Sequence, residues 1–265
     1  MGLLTKAANY LSLSSLALMF SSAIYAAEPL RIAVAANFNG SLQQLTAMYQ
    51  QQHNQTFLIS AGSSGALYAQ IQQAAPFHLF FSADAQRPTQ LVAEQLALAD
   101  SQYTYAVGVP VLWSTDKQLI DEQASVLKTT SFKHLSIAEP RNAPYGAAAQ
   151  QIMQNLGVWQ KLNDQKKLVR AQSIGQAYSQ VASGAAPLGF VALAQIINAD
   201  GSITGSYWQA PTIMYEPIVQ QAVILKHAEQ DPQVLAAARK FMHWLQTPDA
   251  IAVIQAAGYH VENTR

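Results

Sequence analysis

Apolar residues along this chain fall into two alternating textures, short unbroken runs and runs spaced by three and four, and the alternation predicts a layered fold. From Leu30 to Ala36 the run is short and rich in β-formers, and it stops at Asn37, Phe38, Asn39 and Gly40, which predicts a buried strand ending in a turn. From Ser41 onward Leu42, Leu45, Met48 and Tyr49 recur at helical spacing among polar residues, which predicts an amphipathic helix. The same order repeats: a strand over Thr56 to Ser60, a loop from Ala61 to Gly65, and a helix marked by Leu67, Tyr68 and Ile71. Leu79, Phe80 and Phe81 predict a third strand, running into Ser82, Ala83 and Asp84. Strands alternating with helices imply a mostly parallel sheet covered on both faces, with ligands at the carboxyl ends of the strands.

Tyr103 to Trp113 is a longer β-prone run containing Gly108 and Pro110. It is too long for one short strand and predicts a crossing into a second lobe. There the pattern returns, with a strand over Leu135 to Ala138, a loop at Pro144, Tyr145 and Gly146, and a helix from Ala147 to Leu156 ending at Gly157. Leu168 to Ala171 leads through Ser173, Ile174 and Gly175 to a helix through Val181, ended by Gly184. Tyr215 to Leu225 has crossover character again, followed by a helix from Val234 to Leu245 and another over Ala250 to Ala256. The expected fold class is therefore α/β: two lobes, each a mostly parallel sheet flanked by helices, joined by two crossover strands. The expected boundaries are 27–107 and 219–265 for a discontinuous first lobe and 108–218 for the second. Paired crossings are a natural hinge.

Composition narrows the function. Lys6, an apolar run from Tyr10 to Phe20, and small residues through Ala26 and Ala27 have the order of a secretory signal peptide, with cleavage expected after Ala26. The apolar run is about half of the roughly 20 residues a membrane-crossing helix needs. Residues 1–26 are thus expected to be removed, leaving 14 cations against 15 anions and a protein working outside the cytoplasm. This balance gives nothing to attract nucleic acid or an anionic membrane. Without a single cysteine, disulfides and thiolate metal sites are excluded, and stability must come from burying a 50% hydrophobic composition.

Four loops precede four of the expected helices: Ala36 to Ser41, Ala61 to Ala66, Ala143 to Ala147, and Gln172 to Gln176. None contains Lys, Arg, His, Asp or Glu. Each sits at the positive end of a helix dipole, where about four backbone amides lack partners. Helix N-termini bind anions. Neutral, aimed donors select by geometry and protonation state, whereas a Lys or Arg attracts any anion. A fully ionised tetrahedral dianion offers only acceptors, and each matched donor contributes about 1.5 to 3 kcal/mol. Any one of these loops alone reads first as a helix cap; two from each half of a duplicated pattern point to a ligand between the halves.

Taken together, the Ala35, Ala36, Asn37 strand end, the Ala61 to Gly65 loop, the run Phe80, Phe81, Ser82, Ala83, Asp84, the Ala143 to Gly146 loop and the run Ala186 to Val191 resemble the periplasmic molybdate-binding proteins of ABC transporters, over essentially the whole chain after the signal. The resemblance implies a type II periplasmic binding protein, a monomer, that captures molybdate, and tungstate with it, and hands it to a membrane permease driven by an ATPase. It implies binding by Asn37 and Ser64 from the first lobe and by the amides of Tyr145 and Ile174 from the second, with Ser63 and Gly65 flanking. It implies no cofactor, the molybdenum entering only as its oxyanion. Two departures stand out. Asn37 replaces a serine of many members, and Ala192 replaces a tyrosine whose hydroxyl reaches the anion. The Asn37 carboxamide is expected to supply the missing donor.

Competing readings remain at this point. A sulfate-type carrier would use the same loops. A secreted hydrolase would use Ser64 as nucleophile, although its G-x-S-x-G elbow would need glycine where Ala66 stands. His53, His78, His134, His227, His243 and His260 show no metal-binding spacing. Asp84 reads as a turn or hinge residue, and the four tryptophans as core or surface aromatics.

Overall fold

The computed structural model describes residues 28–198 and 200–261; the expected signal segment and its cleavage point lie outside the described residues. The first lobe runs β1 (Leu30–Ala35), α1 (Asn39–Gln52), β2 (Phe57–Gly62), α2 (Ser64–Gln72), β3 (Leu79–Ser82), α3 (Gln86–Ala93) and β4 (Tyr103–Gly108). The chain then forms β5 (Pro110–Ser114), α4 (Ser125–Thr129), β6 (Leu135–Ala138), α5 (Pro144–Asn155), α6 (Trp159–Asp164), β7 (Leu168–Ala171), α7 (Ile174–Ala182), β8 (Leu188–Ala192) and β9 (Ser206–Gln209). It returns through β10 (Ile218–Ile224), α8 (Pro232–Trp244) and α9 (Pro248–Ala256).

These strands make two five-stranded sheets, ordered β2-β1-β3-β10-β4 and β7-β6-β8-β5-β9. In the first, β1 pairs in parallel with β2 and β3, while β10 runs antiparallel to β3 and β4. In the second, β6 pairs in parallel with β7 and β8, while β5 runs antiparallel to β8 and β9. Each sheet therefore has a single reversed strand. In both lobes it is the strand that has just arrived from the other lobe, β10 after β9 and β5 after β4, so the lobes are topological copies.

Burial explains why the apolar runs were so dense. β3, β5, β6 and β8 are buried along their whole length, as central strands covered by helices on both faces must be. The edge strand β2 alternates, leaving Leu58 55% exposed. On α1, Leu42, Leu45 and Tyr49 turn inward onto the β1 side, where they join Ile32, Val34, Phe81 and Phe241 in one core. The second lobe has its own core, with Leu112, Leu135, Ile137, Ile152, Leu188 and Phe190 among its buried members. Ala35 and Ala83, from the strand ends of the first lobe, pack into this second core, so the lobes touch where the helix starts converge. Gly157, Gly184 and Gly258 stop their helices with φ of +70°, +76° and +88°, the left-handed region glycine enters without strain.

Candidate functional site

Where the lobes meet, a small cavity with about 10 Å³ of free internal volume is lined by Ala35, Ala36 and Asn37 after β1, by Gly62, Ser63 and Ser64 at the β2–α2 junction, by Ala83, by Ala143, Pro144 and Tyr145 at the start of α5, and by Ile174 at the start of α7. Asn37, Ser64, Tyr145 and Ile174 are thus brought together from four separate elements. That volume holds about one water molecule and is far below the 300 to 1,000 Å³ of typical drug-sized ligand sites. No Lys, Arg, His, Asp or Glu lines it. Charged side chains, Asp84, Arg87, Arg141 and Glu216, line the larger groove outside.

Each helix start is arranged so that few amides remain free. In α2 the Ser63 hydroxyl caps the N–H of Ala66, and the Gly65 N–H donates to Asn142 O at 2.9 Å, leaving the Ser64 N–H. In α5 Pro144 has no N–H, and Gly146 and Ala147 both donate to Ala143 O, leaving the Tyr145 N–H. In α7 Ser173 caps the N–H of Gln176, leaving those of Ile174 and Gly175. Among the described residues the backbone N–H groups of Asn37, Ser64, Tyr145 and Ile174 have no acceptor. The Ser64 hydroxyl accepts from the Ala83 N–H at 2.9 Å, so its own proton is available to donate. A nucleophilic Ser64 would need a base, and no imidazole or carboxylate lines the cavity with it.

Several contacts close the cleft around this point. The Gly65 N–H to Asn142 O bond joins the lobes, Arg87 Nη2 reaches Arg141 O at 3.3 Å, and a β-carbon on Gly175 would lie 3.1 Å from Ala36 Cβ. Asp84 holds Arg87 by an ion pair and by accepting its N–H at 2.9 Å, so it is a turn residue that fixes an arginine across the cleft mouth. The Tyr145 ring crosses into the first lobe, where its hydroxyl meets Gln220 Nε2 at 3.5 Å. Gly108 makes room, since a β-carbon there would come within 2.2 Å of Tyr145 Oη. Burial pushes the Tyr145, Tyr105 and Tyr259 hydroxyls up from their ordinary pKa, so they stay neutral.

The Asn37 side chain does not behave as expected from the sequence. Its Nδ2 donates to Gln220 Oε1 at 2.7 Å and to Tyr259 Oη at 3.2 Å, and Tyr259 O–H donates back to Asn37 O at 2.9 Å. Both carboxamide protons are therefore engaged away from the cavity, and it is the Asn37 backbone N–H that stays free. Ala192, where the resemblance implies a tyrosine in many members, is buried, and its N–H is taken by Gln195 Oε1 at 3.0 Å. Gln220, Tyr105 and Tyr259 were missed by sequence reasoning. The available sign was Gln220 at an inward position of a mostly apolar strand, next to Gln221 between Ile218 and Ala222.

Comparison with known proteins shows the family. The model of the family described as bacterial extracellular solute-binding protein matches residues 30–260. The chain is 44% identical over 250 residues to Molybdate-binding protein ModA of Rhodobacter capsulatus, covering 94% of this chain and 95% of that one. It is 43% identical over 245 residues to Molybdate-binding protein ModA of Azotobacter vinelandii, covering 92% of this chain and 94% of that one. A solved periplasmic molybdate-binding protein of Azotobacter vinelandii superposes with a TM-score of 0.85 at 48% identity, over 88% of this chain and 100% of that one.

Proposed function

The chain belongs to the bacterial extracellular solute-binding protein family, and from that premise we propose that it captures molybdate, and tungstate with it, between its lobes. The observation that carries this reading is the uncharged cavity into which four separate elements each present a free backbone N–H. Asn37, Ser64, Tyr145 and Ile174 donate through the backbone, and Ser64 donates also through its hydroxyl. Donors already aimed at the anion replace its hydration shell, each contributing about 1.5 to 3 kcal/mol. An oxyanion that carries a proton meets donor against donor and is rejected. The metal enters as oxyanion cargo, and the protein carries out no reaction on it.

Two crossings serve as the hinge: β4 to β5, after Gly108, and β9 to β10, before Ile218, each one residue from the expected boundary because Gly108 and Ile218 pair with one another in the first sheet. The bonds from Gly65 to Asn142 and from Arg87 to Arg141 form as the lobes shut. The signal-like first 26 residues and the family membership support export to the periplasm with cleavage after Ala26, and delivery as a monomer to a permease and ATPase of an ABC transporter. Calorimetric titration of the chain lacking residues 1–26 with molybdate, tungstate, sulfate and phosphate tests the reading. Tight binding confined to the first two is expected; sulfate binding as tightly as molybdate would refute the selectivity.

A further inference from the structure

Just behind the cavity lies a closed polar cluster built around Gln220. Gln220 is fully buried on β10, beside a register shift between Gln220 and Gln221, a β-bulge of the kind that re-aims a side chain. Its Oε1 accepts from Asn37 Nδ2 at 2.7 Å and from Tyr105 Oη at 3.1 Å, while its Nε2 reaches only Tyr145 Oη, at 3.5 Å. The Tyr105 hydroxyl also faces Ser82 O at 3.0 Å, and one proton cannot serve both acceptors. Asn37 Oδ1 is buried with no partner at all. Asn37 lines the cavity and is 3% exposed, so the unpaired end of its carboxamide is an acceptor, the wrong chemistry for an anion.

Turning both carboxamides over about their own axes, with heavy-atom positions kept, resolves the count. Gln220 Nε2 then donates to Asn37 Oδ1 and to Tyr105 Oη, and Tyr105 keeps Ser82 O. Tyr145 O–H donates to Gln220 Oε1, and Asn37 Nδ2 occupies the unpaired position. The turn gives up the 3.2 Å bond from Asn37 Nδ2 to Tyr259, so an arriving acceptor is needed to favour it. We propose that Gln220 is a positioning residue that sets which end of the Asn37 carboxamide faces the ligand, and that an oxyanion is bound with the pair turned and Asn37 Nδ2 donating to it. This rests on the oxyanion reading above. It also supplies the donor that Ala192 lacks, through Gln220 as well as Asn37.

Molybdate titrations of the wild type, Asn37→Ala, Gln220→Met and the double variant test it. Each single variant is expected to bind about 10- to 150-fold more weakly, the range of one charge-assisted hydrogen bond. The double is expected to be no weaker than Asn37→Ala alone, within about twofold. Wild-type affinity in Gln220→Met, or losses that simply add, would overturn the proposal while leaving the oxyanion reading standing. Failure of the wild type to bind molybdate would overturn both. Should Gln220→Met not fold, the side-chain amide ¹⁵N–¹H resonances of Asn37 and Gln220 in the wild type decide: both pairs shift on adding molybdate, and either pair unmoved contradicts the turn.

Discussion

Ser64 serves fold and ligand through one oxygen. Its lone pair holds the Ala83 N–H at 2.9 Å, tying the start of α2 to the end of β3, and its proton is left for the proposed anion. Ser64→Ala should therefore lower molybdate affinity by about 10- to 150-fold and, by leaving a buried N–H unpaired, lower stability by about 1 to 3 kcal/mol. Calorimetry and urea unfolding read the two separately; loss of stability with unchanged affinity would remove Ser64 from the site. Far from the cavity, His78 makes a second residue-scale prediction. It is 2% exposed, and its Nδ1 accepts from the Arg31 N–H at 3.2 Å. Burial lowers its pKa, and the Arg31 and His227 charges push the same way against Glu28 and Asp231. The native imidazole is neutral, whereas the unfolded chain takes up a proton near its ordinary pKa of about 6.5. The sign follows: its contribution is complete above about pH 6.5 and is lost as pH falls toward the lowered folded value. His78→Gln should flatten the drop in urea midpoint between pH 7.5 and pH 5.5, and an equally steep drop in the variant would contradict this.

At the scale of elements, the meeting of β4 with α5 governs closure. Gly108, the last residue of β4, is needed for space: a β-carbon would lie 2.2 Å from Tyr145 Oη and 2.7 Å from Gln220 Nε2. Gly108→Ala should push the ring out, holding the lobes apart and weakening molybdate binding at least about tenfold, from an overpacking strain of about 1 to 3 kcal/mol. Small-angle scattering should show a larger radius of gyration than the wild type in molybdate; equal radii and affinities would count against the closure role. That a helix follows each of these loops was legible in the sequence, but the starts were read late: Pro144, Tyr145 and Gly146, expected in a loop, form the first turn of α5, and Ser64 and Gly65 that of α2, because proline at the first helical position and a capping serine place small loop-like residues inside the helix. The long run from Tyr103 to Trp113 was legible as a crossing, and the structure splits it at Val109 into strands of different sheets. What was not legible depends on distant pairing. Gln220 meets Asn37 across 183 positions and Tyr259 meets it across 222, and no local periodicity encodes such contacts. The Asn37 side chain was assigned to the ligand because its partners could not be seen. β9 escaped notice because an edge strand of four residues, Ser206–Gln209, carries too little pattern.

For the whole molecule, duplication is the source of the site. Two sheets of the same order, each with its one reversed strand supplied by the crossing, aim the carboxyl ends of β1, β2, β6 and β7 at one another. Two helix starts from each copy then line one cavity, and on the proposed reading selectivity comes from the separation of uncharged donors rather than from charge. The charged residues of the cleft stay in the outer groove. The most direct measurement is a crystal structure of the protein with molybdate, with data collected at the molybdenum absorption edge. One anomalous peak within hydrogen-bonding reach, through the oxyanion, of the Asn37, Ser64, Tyr145 and Ile174 amides is predicted. A peak in the outer groove beside Arg87 and Arg141, or none between the lobes, would contradict it.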